Sequence, residues 1–406
     1  MRAAAATCAP VPSLSLIFHV AVLALLGLSL LCVLVNLVFF DRLQAAAPPA
    51  DAPLVSILVP ARDEARSIGA CAGSLLKQDY PNVELIVLDD HSTDATAEIA
   101  RGLGLSETGT NHRLISGEAL PPGWVGKNWA CHQLARAAKG EFLFFTDADT
   151  EHMPGTVSAA VAYARRTRAD LLSAWPELIT KTWSEKLILP MIVLGGMIAY
   201  PTWLILLLQW KPRIAQWVPR SWRRAIGAAN GQFMFWRRAA YERTGGHEAV
   251  RNHLVEDVAL GRTVMAHSDE GMRLRNCSAL GFSSCRMYHS FAEVWEGFTK
   301  NIHAVFEGSV AAPVIAGTTQ VCCFLLPFIL VFLPQSPKPL VLAEIAIVLT
   351  IRILLTWRFR TSRLGVVLHP IGHALMLAIG INSWRLSRGR GVTWKGRTYA
   401  GAASAP

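Results

Sequence analysis

The run Glu84-Leu85-Ile86-Val87-Leu88 ends in Asp89-Asp90, and Glu141-Phe142-Leu143-Phe144-Phe145 leads through Thr146 into Asp147-Ala148-Asp149. A third apolar run, Leu54-Val55-Ser56-Ile57-Leu58-Val59-Pro60, precedes Ala61-Arg62-Asp63-Glu64. Short β-rich apolar runs that stop at acids read as strands whose carboxyl ends open on one crevice, where open α/β sheets bind ligands. Carboxylate oxygens are hard donors for a divalent cation, and such a cation partners a polyphosphate. The three runs therefore predict one active site.

Outward from them, strand-like and helix-like runs alternate from Asp51 to about Ser309. Strands are expected at Leu54 to Pro60, Glu84 to Leu88, Arg113 to Ser116 and Glu141 to Thr146, with helices near Arg66 to Lys77, Asp94 to Gly102 and Lys127 to Ala138. This is the pattern of an α/β domain, a parallel sheet with helices on both faces that binds a nucleotide in its first half.

The chain is 52% hydrophobic with a mean hydropathy of +0.33, and the excess is concentrated at its two ends, so a soluble middle between membrane segments is expected. Ser13 to Phe40 is long enough to cross a hydrocarbon core of roughly 30 Å. A cleaved signal peptide is the alternative, since Gln44 to Pro49 looks cleavable. Val310 to Pro334 and Pro339 to Trp357 read as a helical hairpin. The basic run Arg358 to Arg363 and the tail, residues 385–406, both belong on the cytoplasmic side by the positive-inside rule, which makes Leu364 to Ile381 a re-entrant or interfacial hairpin broken at His369-Pro370, or else a third crossing. Leu187 to Leu208, interrupted by Pro190, Gly195-Gly196 and Pro201, reads as a helix pair on the bilayer surface, with Trp203, Trp210, Trp217 and Trp222 as an interfacial belt. The whole is a multi-pass protein of the inner membrane with a cytoplasmic catalytic domain.

The net charge of +10 does not imply nucleic acid, because the basic residues lie beside apolar segments and in the tail, where anionic headgroups account for them. The eight cysteines contain no C-x-x-C and read as reduced thiols. His369 and His373 stand four apart without an acidic or cysteine partner, which argues against a metal site.

Val59 to Glu64 (VPARDE), Asp89 to Thr96 (DDHSTDAT), the D-A-D at Asp147 to Asp149, and Gly245 to Gly261 (GGHEAVRNHLVEDVALG) resemble the family-2 glycosyltransferases. That resemblance implies a GT-A, Rossmann-like nucleotide-sugar-binding fold and an inverting transfer. More narrowly, Gly123 to Lys127 (GWVGK), Arg286-Met287-Tyr288, Glu296 to Asn301 (EGFTKN) and Trp394 to Tyr399 (WKGRTY) resemble the membrane glycosyltransferases of carotenoid glycolipid synthesis, and hopanoid-associated enzymes share the front half. The Q-x-x-R-W pattern of processive synthases is absent: Ser283 stands in place of Gln and Met287 in place of Trp.

Asp149 is expected to hold Mg²⁺ or Mn²⁺, which would offset the diphosphate charge of a UDP-sugar. By resemblance, Asp147 contacts the ribose or the metal and Asp90 the uracil, while Asp89 and Asp63 shape the base pocket; Pro60 and Glu64 are further candidate substrate-binding residues. Asp63 and Asp94 could instead be helix N-caps. Lys127, after Gly126 and at the start of a helical run, suits a phosphate, with a solvated lysine as the alternative. Arg286 lies in a segment resembling the family's phosphate side. Asp257 would be the base for a hydroxyl acceptor, with Glu256 as its neighbour, although the two could be a helix-capping acid cluster. Gly245-Gly246 is expected to form a turn that lets the acceptor approach the backbone.

The reading is a membrane-anchored hexosyltransferase that moves sugar from UDP-sugar to a lipid in the bilayer, a carotenoid or related isoprenoid. Alternatives are a polyprenyl phosphate or hopanoid acceptor and, from another class, an inactive membrane scaffold that retained the fold.

Overall fold

The computed structural model describes residues 13–306, 309–389 and 391–399; Cys8, Arg390 and the tail beyond Tyr399 lie outside them. The acid-terminated runs are neighbouring strands. Val55–Ala61 pairs in parallel with Val83–Asp89 on one side and Phe142–Phe145 on the other, and His112–Ser116 continues beyond Val83–Asp89. Met234–Arg237, Leu171–Trp175, Leu274–Ser278 and Asp41–Arg42 extend the other side to complete an eight-stranded sheet. The strand order thus reverses at Val55–Ala61, and the crevice at such a switch point is where ligands bind. Arg62 to Glu64 and Asp147 to Asp149 sit at its two edges.

The three acid-terminated strands are buried on both faces, which is why they read as continuous apolar runs. Val55, Ile57 and Val59 pack with Phe142 and Phe144 in one core, while Leu58, Ile86 and Leu88 pack with Leu143 and Phe145 in the other. Expectation and structure part at Met234–Arg237, which runs antiparallel to both its neighbours. The chain reaches that strand through a helical excursion from Trp183 to Ala225 instead of a crossover helix, so nothing imposes a parallel connection. The edge strand Asp41–Arg42 also carries the sheet ahead of the expected boundary at Asp51.

Among the described residues three helices are long and apolar enough to cross a membrane: Leu14–Phe39, Ala311–Leu330 and Lys338–Phe359. Polar groups tie the first to the third, since His19 Nδ1 lies 2.8 Å from Glu344 Oε1. Downstream, Leu364–Val367 and His369–Ser387 are separated at Leu368, with Pro370 in the first helical turn, where its missing N–H leaves no bond unmade. His369 Nε2 lies 2.9 Å from the Phe324 carbonyl and His373 stacks on the Phe324 ring, so both imidazoles serve helix packing.

The segment expected to lie on the surface as a helix pair is Trp183–Ile188, Pro190–Ala199 and Thr202–Trp210, with a 44° bend between Ala199 and Thr202. Val193, Leu194 and Met197 pack against Val22, Leu26 and Val33 and against Val348, Ile351 and Leu355, so its apolar content serves a helix bundle. Pro190 begins a helix without breaking one; the break comes at Tyr200-Pro201. Fully buried Asn36 holds that break. Its Nδ2 donates to the Met197 and Tyr200 carbonyls at 2.7 and 2.9 Å, and its Oδ1 accepts from Thr202 N at 2.9 Å. These are backbone groups that a helix interruption leaves without partners. Asn36→Leu is therefore expected to cost about 1–3 kcal/mol and to lower the midpoint of thermal unfolding in detergent; an unchanged midpoint would show that the bend stands without Asn36.

Candidate active site

Pro60, Glu64, Asp90, Lys127, Asp147, Asp149, Glu256 and Asp257 line a single cavity of about 1280 Å³. The sheet delivers the first acids, and the helices Gly126–Ala137 and Glu256–Ala266 deliver the rest from their first turns. Lys127 joins the two halves: its Nζ is 2.6 Å from Asp147 Oδ1 and 2.9 Å from Glu256 Oε1. Burial alone would lower the pKa of this lysine, but Asp147 and Glu256 outweigh it and hold the ammonium charged. In return, Glu256, only 4% exposed, keeps its carboxyl below the usual range, because Lys127 overcomes the penalty of burial.

Asp257 has a different environment. Its Oδ2 accepts from Gly231 N at 2.8 Å and its Oδ1 from Val258 N at 2.8 Å, while burial and then the Glu256 charge push its pKa up to about 6. Two adjacent carboxyls thus titrate apart, as acid–base chemistry near neutral pH requires. Asp149 is pushed up to about 7 by burial and then by Asp147 and Glu64, a concentration of negative charge that calls for a cation. Among the described residues no group of three or more His, Cys, Asp or Glu forms a metal cage. The donor set still fits Mg²⁺ or Mn²⁺, which is commonly held by one or two carboxylates with phosphates and water completing the shell.

Three expected residues lie outside the cavity wall. Arg286 Nη2 is 3.1 Å from Glu185 Oε1, the buried acid of the capping box that starts Trp183–Ile188. Asp63, at φ 51°, accepts from Thr93 N at 2.8 Å and so braces two loops. Asp89 closes its strand beside Ser116. Asp94 accepts from Thr96 N at 3.0 Å and from Ala65 N at 3.0 Å, one residue before Ala95, which holds the N-cap position of the helix Thr96–Gly102. The Gly245-Gly246 turn has positive φ at both residues, but it packs beneath Tyr241, whose ring lies 2.3 Å from where a Gly246 Cβ would be, and it does not line the cavity.

The cavity also takes residues to which the sequence gave no role. Lys300, on the helix Phe291–Ala304, has its pKa lowered by burial against the pull of Glu256. Its motif, Glu296 to Asn301, is visible in the sequence, but nothing in the spacing places it opposite Asp257. Lys395 and Arg397 line the cavity too, against the expectation that the basic tail meets lipid headgroups. Their partners, Glu64 and Asp90, are more than 300 positions away in the chain, so tertiary contact alone reveals the pairing.

Comparison with known proteins gives two adjoining matches: the Glycosyl transferase family 2 model over residues 56–213 and the Glycosyl transferase family 21 model over residues 212–401. A 4,4'-diaponeurosporenoate glycosyltransferase of Staphylococcus aureus (strain MRSA252) is 27% identical over 360 residues, which cover 85% of this chain and 88% of that protein. The protein of that name in strain USA300 is 26% identical over 357 residues, with the same coverage. Among solved structures, a mannosyltransferase from Pyrobaculum calidifontis in complex with GDP-Man and Mn²⁺ is 18% identical with a TM-score of 0.48, over 91% of this chain and 97% of that one. The two models together span residues 56–401, and with the similarity to the S. aureus proteins they identify this chain as a glycosyltransferase whose residues 56–213 match family 2 and whose residues 212–401 match family 21.

Proposed function

We propose that the protein transfers a sugar from a UDP-sugar, with inversion, to a lipid acceptor that enters from the membrane. The observation that carries this reading is the continuity of the cavity. The wall that holds Asp149, Lys127 and Asp257 continues without interruption along Met191 to Ala199, along Pro313 to Val321, and past Met376 and Gly380. An apolar passage from a helix bundle to a charged cluster suits a long hydrocarbon with one polar end. The S. aureus relatives are named for 4,4'-diaponeurosporenoate, which supports a carotenoid-type or related isoprenoid acceptor.

In this mechanism Asp149, with Asp147, would hold a divalent cation, which when bound offsets the negative charge on the departing diphosphate. Lys127 adds a fixed positive charge on the same side and keeps Asp147 and Glu256 in place. Asp257, fixed by two backbone N–H groups, takes the proton of an acceptor hydroxyl as its oxygen attacks the anomeric carbon and the bond to the diphosphate breaks. Attack opposite the leaving group inverts the anomeric centre. A carboxylate acceptor is the second reading. The ending of the relatives' acceptor name and the position of Lys300 in the cavity wall favour it, and a carboxylate needs no base.

The topology reading is that the catalytic domain and tail both face the cytoplasm. It is supported by the tail hairpin folding onto the catalytic domain: a segment paired with Asp90 lies on that domain's side of the membrane. Ala311–Leu330 and Lys338–Phe359 then make two crossings that return the chain to its starting side, and His369–Ser387 stays on that side or re-enters. The exposed Trp203, Trp210, Trp217 and Trp222 fit a belt at the interface. Impermeant thiol reagents applied to intact cells should leave cysteines placed in the domain and in the tail unlabelled. Labelling of the tail with the domain protected would establish a full third crossing of the C-terminal region.

Asp149→Ala is expected to remain folded and to lose most turnover, and chelator should do the same to the wild-type enzyme. Full activity in chelator would remove the metal assignment.

If the acceptor is a hydroxyl, Asp257 must be ionised to act. With its carboxyl near 6, and with Glu256, Lys127, Lys300 and Tyr200 around it, kcat/KM should rise with pH through about 6 and fall below it. Asp257→Asn should abolish that limb and cut turnover by roughly 10²-fold or more with donor binding nearly unchanged. A nearly wild-type rate in this variant, at saturating acceptor, would select the carboxylate reading.

A further inference from the structure

The described part of the tail forms a β-hairpin, Val392–Trp394 paired with Arg397–Tyr399 around a Lys395-Gly396 turn. Both turn residues have positive φ, 44° and 74°, the conformation of a two-residue turn matched to strand twist. The turn directs its cations into the cavity. Arg397 grips Asp90 with both arms, Nη1 to Oδ2 at 2.5 Å and Nη2 to Oδ1 at 3.0 Å. Lys395 Nζ donates to Glu64 Oε1 and, at 2.7 Å, to the Arg62 carbonyl. Arg62 closes the ring, with Nη1 on the Asp90 carbonyl at 2.6 Å and Nε on the Lys395 carbonyl at 3.3 Å.

These are built contacts. The Asp90 side chain is 7% exposed and that of Arg397 19%. Arg397 also lies against Gly126, where a Cβ would stand 1.8 Å from Nη1, so a side chain at that position would displace the guanidinium from its present place. The hairpin rests on the helices Phe291–Ala304 and His369–Ser387, and so connects the membrane-side helices to the nucleotide side of the cleft.

We propose that Arg397 is a positioning residue of the donor site: by its bidentate hold it fixes the Asp90 carboxylate in the orientation that reads the nucleobase, with Lys395 and Arg62 securing the loop around it. A planar fork fixes both oxygens of the carboxylate at once, where a single hydrogen bond would leave it free to change rotamer. Each oxygen keeps a lone pair for a base N–H. The inference rests on the reading of Asp90 as the base-recognising acid.

Binding of UDP and of ADP to the full-length protein in detergent separates the possibilities, with turnover measured alongside. Arg397→Ala should weaken UDP about tenfold, raise the donor KM to match, and leave kcat at saturating donor within about twofold. ADP should weaken far less, because the loss lies in base recognition. Arg397→Lys, which keeps the charge without the fork, should recover part of the UDP affinity; it also carries the test should the alanine variant not fold. Equal losses for UDP and ADP would place Arg397 on the phosphates and overturn the proposal. Unchanged or tighter UDP binding would also overturn it, the latter by making the hairpin a competitor of the donor. Asp90→Asn separates this inference from its foundation: wild-type UDP binding there removes the reading of Asp90 itself, whereas weak binding there with normal binding in Arg397→Ala removes only the role of Arg397.

Discussion

The ammonium of Lys127, held between Asp147 and Glu256, is the contact on which the site depends. Asp147 ends the strand side of the crevice, and Glu256 opens a helix from the second half of the domain, more than a hundred residues later. Like-charged acids brought this close repel, and a buried carboxylate such as that of Glu256 is costly without a cation beside it. The lysine removes that obstacle and sets the electrostatic difference between the two acids of the Glu256-Asp257 pair. Glu256, beside the ammonium, is held ionised, whereas Asp257 remains near 6, where a base can both accept and release a proton.

A second constraint joins this cluster to the long apolar helices. The bent segment from Trp183 to Trp210 belongs to the domain in sequence and to the helix bundle in packing. Asn36, on the first apolar helix, satisfies the backbone groups freed at its bend, so the helix that looks like a simple anchor also shapes the cavity wall. Arg352 works similarly from Lys338–Phe359, donating to the Pro190 and Gly365 carbonyls at 3.2 and 3.0 Å. Polar side chains within apolar helices are costly unless paired, and here their partners are the irregular backbone beside the cavity. The apolar helices and the charged cluster therefore share one continuous cavity wall.

Local pattern determined much of this protein. Apolar runs of four to seven residues ending in acids were enough for the central strands and the switch-point crevice, because burial on both faces of a parallel sheet leaves a plain one-dimensional trace. The three long apolar helices were equally legible, since a hydrocarbon core sets their length. Pro60, Glu64, Asp90, Lys127, Asp147, Asp149, Glu256 and Asp257 were also legible as candidates, each being a charged or turn residue at the end or start of an element. Tertiary structure alone decided which charges meet. Arg286 pairs with Glu185, and Lys395 and Arg397 of the basic tail pair with Glu64 and Asp90 although the tail's composition also suits a lipid surface. The antiparallel strand Met234–Arg237, the bend held by Asn36 and the place of Lys300 in the cavity share that origin. Periodicity and hydropathy record what a residue does with its neighbours in sequence, whereas an ion pair depends on distance in space, which only the packing of distant segments sets.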